Sequence, residues 1–280
     1  MPDETFTVVL GDRRYAVQRR WARLPSGISF GFISDLVVDR HHRVHVAQRG
    51  TTQPILVFER DGSYAGSWGA GAIGDPHYMT CASDDTILVA DRDSHQVLRF
   101  DLDGTLIQAL GRRHFPALGA PFNHPTSAAV AADGDIYVAD GYGNSHVHRF
   151  APDGALLKTW GMPGQEPGQF TTPHAIWVDR FDRVLVADRE NNRVQVFDRD
   201  GKVVGIWGDF YHPMKIWVDD RDLVFVTDQI PRISLLSPDG KLVGRCRGAI
   251  NGAHGIAGDR DGNLFLAELP PQEITKLERL

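Results

Sequence analysis

The sequence predicts an all-β fold, a six-bladed β-propeller, on three observations: short apolar runs, a repeat of constant internal spacing, and a turn dipeptide that recurs within it. The runs are clearest between positions 172 and 201, TPHAIWVDRFDRVLVADRENNRVQVFDRDG. Residues 175–178, 184–187 and 194–197 are apolar and rich in valine, and Asp, Asn and Gly separate them. Runs of this length, β-branched and bounded by turn formers, read as strands. Residues 203–207 add a fourth, so one copy is a four-stranded antiparallel meander. Such a sheet cannot bury both faces alone and needs copies of itself on either side.

The copies are found by anchoring each on the residue 15 positions before the end of a VAD-like tripeptide. The anchors are Ile33, Pro76, Pro125, Pro173, Pro213 and Ala253, paired with Gln48, Asp91, Asp140, Asp188, Asp228 and Glu268. Anchor-to-anchor steps are 43, 49, 48, 40 and 40 residues. A period of about 40–50 residues with four strands per copy is the mark of a propeller. Six blades make one closed unit, so residues 1–280 read as a single domain, with blades starting near 33, 76, 125, 173, 213 and 253.

The remaining elements follow in order. Residues 1–24 precede the first anchor and hold TFTVVL and RRYAVQRRWARL, two strands around Gly11-Asp12. The last copy has strands at 255–257, 264–267 and near 273–277, and then stops. Its fourth strand is expected from the N-terminal segment, with Trp21 in the place that Trp207 takes in copy four, which removes a free edge. Asp61-Gly62, Asp103-Gly104, Asp153-Gly154, Asp200-Gly201 and Asp239-Gly240 lie between third and fourth strands and suit two-residue hairpin turns. Trp68, Trp160 and Trp207, each followed by Gly, mark fourth strands. The acidic residue that ends the tripeptide in five of six copies is expected to bond blade backbone.

Composition narrows the function. The net charge of −6 argues against a nucleic-acid partner. No apolar run nears the ~18 residues that span a membrane, and the acidic start MPDETFTVVL lacks a signal-peptide core. Two cysteines in distant copies, Cys81 and Cys246, make no disulfide framework, and a cytoplasmic setting is the expectation. Nothing here indicates an oligomeric state.

Chemistry enters one residue past each anchor. In order those residues are Ser34, His77, Thr126, His174, Met214 and His254. With 12 histidines in 280 residues, strict alternation at one register is not expected by chance. Alternate blades of six are one third of a turn apart, and this position opens the strand that lines the channel. His77, His174 and His254 therefore point at one spot on the axis, and three neutral imidazoles with an open fourth position make a catalytic zinc site. Imidazoles also accept Cu, Fe, Co or Ni. His124 and His212 precede anchor prolines; lining the channel mouth is one reading, and a structural or solvent-facing place is the favoured one. Loops after the tripeptide place Arg49, Arg189 and Tyr142 at the same end of the channel. An arginine fork suits a substrate carboxylate, and a tyrosine beside a cation is a candidate base. Arg92 shares the register of Arg49 and Arg189, so arginine there also has a structural reading.

These stretches resemble known proteins. VADRENNRVQVF is similar to the second and third strands of an NHL repeat. Gln48-Arg49-Gly50, Pro76-His77, DGYGNS at 140–145, PGQFTTPH at 167–174, ADREN at 187–191 and His254 resemble the peptidyl-α-hydroxyglycine α-amidating lyase family. The resemblance implies zinc on the three histidines, catalysis and substrate binding by Tyr142 and Arg49, and Arg189 in the same pocket. Two departures stand out. The family carries Asp after its third histidine, where it helps to hold a structural calcium; here Gly255 stands there, so calcium is expected to be weak or absent, with water or backbone filling the gap. The family's DGYCNS cysteine is Gly143, so a disulfide of the secreted enzymes is missing, and hormone-peptide amidation in a secretory vesicle is not the expectation. The reading is a zinc lyase for a small carbinolamide carrying a carboxylate. The alternatives are a metal-dependent hydrolase or hydratase, and a non-catalytic NHL protein-binding module.

Overall fold

A computed structural model describes residues 6–248, 251–270 and 272–280. Six antiparallel sheets surround a channel. Their innermost strands are Phe32–Val38, Pro76–Cys81, Ser127–Val130, Pro173–Val178, Pro213–Val218 and Ala253–Gly258, and each adjoins the next around the ring. Blade 4 follows the predicted meander closely, with strands Pro173–Val178, Val184–Asp188, Arg193–Phe197 and Val203–Trp207. Among the described residues the one helical element is the 3-10 turn Arg189–Asn191, and no helix is long and apolar enough to cross a membrane.

Six buried apolar clusters hold the ring, one at each junction between blades. Between blades 4 and 5, for example, Ala175, Leu185 and Val194 meet Ile216, Val224 and Leu236. Burial of this kind is the dominant favourable term in folding, and each sheet obtains it only from its neighbours.

The ring closes as expected. The sixth sheet takes Arg13–Gln18 as its fourth strand, beside Glu273–Arg279, and adds Thr7–Leu10 as a fifth. Thr5, the first residue of TFTVVL, lies outside the described residues. Trp21 falls just beyond the strand, but its N–H donates to the Ile274 carbonyl. Ile274 is opposite Ala267 as Val194 is opposite Ala187, and Val194 faces Trp207. Trp21 thus keeps the register of Trp207.

The hairpin turns differ from expectation. In each Asp-Gly copy the glycine N–H bonds back three residues, to Glu59, Asp101, Ala151, Asp198 or Ser237. The loop is therefore three residues, with the glycine at positive φ, 76° for Gly201, as in a type I turn closed by a bulge. The fourth strand starts offset by one residue, seen as the register shift at Val196/Phe197. In four of the five turns that glycine also lies against the tryptophan of the preceding blade, Trp160 for Gly201, while Gly154 meets Leu110, so these turns lock adjacent blades together.

Candidate metal centre

The carboxylates that end the tripeptides set the loops at the top of the channel. Asp91 accepts from the Gly74 and Asp75 N–H groups, Asp140 from Asn123 and Asp188 from Thr171. Gln48, the non-acidic member, accepts from Gly31 through its amide oxygen. Each bond ties the loop that enters a blade to the end of its second strand.

The three alternating histidines meet on the axis. One ligand nitrogen from each of His77, His174 and His254 lies within 4.8 Å of the others, and all three rings are buried. Their far nitrogens follow one rule. Nδ1 of His77 is 2.7 Å from the Thr126 carbonyl, Nδ1 of His174 is 2.9 Å from that of Met214, and Nδ1 of His254 is 2.5 Å from that of Ser34. Each even blade thus bonds the same register position of the next odd blade. A carbonyl oxygen only accepts, so each Nδ1 carries the proton and each Nε2 offers its lone pair to the axis. Burial drives the imidazoles toward the neutral form: it holds His77 and His174 well below the ordinary histidine range and His254 at about 3. Three preset Nε2 donors fit a zinc ion or another imidazole-seeking divalent metal.

Tyr142 stands at the mouth of this funnel. Its hydroxyl is 3.1 Å from His77 Nε2 and 3.0 Å from His174 Nε2, and Arg189 Nη1 lies 3.4 Å from it. At 38% exposure, the side chain also meets solvent. Arg49 is fixed by Asp75, Nε to Oδ1 2.6 Å. Each sequence-predicted site residue therefore sits at this end of the channel.

Four residues of the site were not singled out as functional by sequence. Arg92, whose register also suggested a structural role, places its guanidinium 5.6 Å from the centre of the Tyr142 ring, the same distance as Arg189. Asp75 takes both Arg49 and Arg92, the latter at 2.9 Å. Glu190 bonds Arg189 at 2.7 Å, and His212 Nδ1 lies 2.9 Å from its other carboxylate oxygen. The signal for Asp75 was its place directly before the anchor of blade 2; Glu190 and His212 become neighbours only through folding. His124 packs against His95, with ring centres 4.3 Å apart.

The calcium site implied by the family resemblance does not fit. A side chain at Gly255 would run into the Asp35 carboxylate. The space holds Asp35 and Lys215, with Lys215 Nζ 2.6 Å from Asp35 Oδ2, where water or backbone was expected.

The NHL repeat pattern matches residues 122–150 and 170–197. A probable peptidyl-alpha-hydroxyglycine alpha-amidating lyase of Caenorhabditis elegans is 30% identical over 246 residues, 81% of this chain and 70% of its own length. The chain belongs to this lyase's family. NHL repeat-containing protein 3 of Homo sapiens is 32% identical over 71% of this chain, which spans 56% of that relative's length. Among solved structures, a gluconolactonase from Xanthomonas campestris superposes with a TM-score of 0.74 over 97% of this chain and 91% of its own, at 16% identity. That last likeness concerns the fold alone.

Proposed function

We propose that the protein is a metal-dependent lyase that cleaves the C–N bond of a carbinolamide, an N-acyl α-hydroxyglycine or a close relative. The supporting observation is the convergence of three Nε2 lone pairs, the Tyr142 hydroxyl and the Arg189 guanidinium on one spot. Zinc is the proposed ion, and when bound it would polarise the substrate hydroxyl as a Lewis acid. Tyr142 takes the hydroxyl proton as the C–N bond breaks. The bonding electrons leave with the amide nitrogen, which receives that proton, and the carbinol carbon becomes the aldehyde of glyoxylate. Atoms and electrons balance without water or a redox partner.

Arg49 and Arg189 hold the substrate carboxylate. Asp75 and Glu190 keep their guanidinium planes in place before substrate arrives, and such pre-positioning is what makes orientation effective. A pocket of ≈ 300 Å³ beside His254, walled by Met214, Ala253, Leu269 and Pro270, receives the acyl portion.

The test is glyoxylate release from a panel of N-acyl α-hydroxyglycines by metal-replete protein. Wild type should release glyoxylate and an amide that carries no oxygen from labelled water; glyoxylate itself exchanges its aldehyde oxygen through its hydrate. Tyr142→Phe should turn over about 10²–10⁴-fold more slowly with metal retained. Labelled oxygen in the acyl product would instead favour a hydrolase, and no release at all would count against the lyase reading.

A further inference from the structure

One residue beyond the histidine register, the six inner strands carry Asp35, Tyr78, Ser127, Ala175, Lys215 and Gly255. The three large members of this layer fill the channel beneath the histidines. Lys215 and Asp35, 180 residues apart, pair across it with both side chains buried. The ammonium also donates to the Met79 carbonyl at 2.8 Å, and the Met79 N–H donates to Asp35 Oδ2 at 2.7 Å. It further stands 4.4 Å from the centre of the Tyr78 ring, within cation–π range. Tyr78 in turn reaches the metal layer: its hydroxyl is 2.9 Å from the carbonyls of both Met214 and His254 and 3.3 Å from His174 Nδ1. Below the layer a cavity of ≈ 200 Å³ opens among Met79, Trp177, Lys215 and Trp217.

We propose that Lys215 is a tethered cation, which stands where a bound metal ion would otherwise join the channel walls and positions the histidine layer through Tyr78. A carboxylate, a carbonyl oxygen and an aromatic face converge on one ammonium from blades 1 and 2, and its stem is rooted in blade 5. Oxygen donors gathered around a single positive centre are what a hard cation needs, and here the charge is covalently part of the chain. Gly255 is required because any side chain there would displace the Asp35 carboxylate that holds the ammonium. The channel wall then needs no calcium at this position. The positioning role rests on the metal-centre reading above; the cation role does not.

The experiment uses the full chain. Wild type should contain no calcium after gel filtration, and should melt at one temperature in calcium chloride and in EGTA. One retained equivalent of calcium, or a melting point raised by calcium, would overturn the proposal. Lys215→Met strands the Asp35 carboxylate in an apolar channel and should lower the melting point, because removing one partner of a buried pair leaves an uncompensated charge. The double variant Asp35→Asn with Lys215→Met should recover much of the loss; an undiminished melting point in Lys215→Met would contradict the role. For positioning, the readout is the visible spectrum of cobalt-substituted protein. Lys215→Met, its double variant and Tyr78→Phe should each shift the cobalt bands while still binding the ion, and unshifted bands would overturn the positioning role. Should wild type take up no cobalt, it is the metal centre that fails, and the calcium and melting results still decide the cation role.

Discussion

Blades 2, 4 and 6 share a backbone plan with blades 1, 3 and 5, yet at one channel position they carry different chemistry. The even blades place His77, His174 and His254 there, and the odd blades Ser34, Thr126 and Met214. The odd positions are not idle. Their carbonyls fix each imidazole's tautomer, and the Ser34 and Thr126 hydroxyls donate to the Pro76 and Pro173 carbonyls at 2.7 and 2.8 Å. The difference teaches a division of labour. Even blades supply the imidazoles, odd blades supply backbone that orients them, and the sixfold ring becomes a threefold cluster.

The comparison is broken most severely by removing one even-blade ligand. His174→Ala should abolish stoichiometric metal binding and activity together, since two imidazoles remain on an axis built for three. Met214→Ala at the equivalent odd position keeps the orienting carbonyl and should keep the metal. Metal content of the two variants, purified side by side, checks this, and equal loss in both would erase the distinction.

A smaller effect is expected where the loops of the odd blade 1 reach the site. Arg49→Ala should lower kcat/KM on the order of 10- to 100-fold, the worth of one charge-assisted hydrogen bond, and steady-state kinetics with the metal content held constant measures it. The loss should shrink for substrates without a carboxylate, where Arg49 has nothing to hold.

The smallest effect belongs to the odd-blade hydroxyls. Thr126→Val removes a donor to the Pro173 carbonyl but leaves the Thr126 carbonyl on His77. It should cost about 1 kcal/mol of stability, read by denaturant unfolding, with no change in metal stoichiometry. Loss of metal here would show that the side chain, and not the backbone, orients His77.

Much of this was legible in the sequence because propeller repeats write geometry as spacing. The constant separation of 15 gave the blades, and the alternation of histidine in one register gave the cluster of three imidazoles. Tyr142, Arg49 and Arg189 were legible by their place after the tripeptide. The two-residue reading of the Asp-Gly turns was too short, because the dipeptide alone does not reveal that the preceding residue joins the loop. Lys215 and Asp35 were missed for a different reason. They sit on blades 5 and 1 and become neighbours only when the ring closes, although one further step in the histidine register would have brought them into view. Glu190 and His212 likewise meet only across the boundary between blades 4 and 5.

The central claim is that alternate blades build one shared ion site, and metal analysis of wild-type protein purified without chelator or added histidine tag tests it most directly. One divalent transition metal per chain, bound through the three imidazoles, is the predicted result. Folded protein that takes up no metal when zinc is supplied, or that takes up three ions independently, would contradict it.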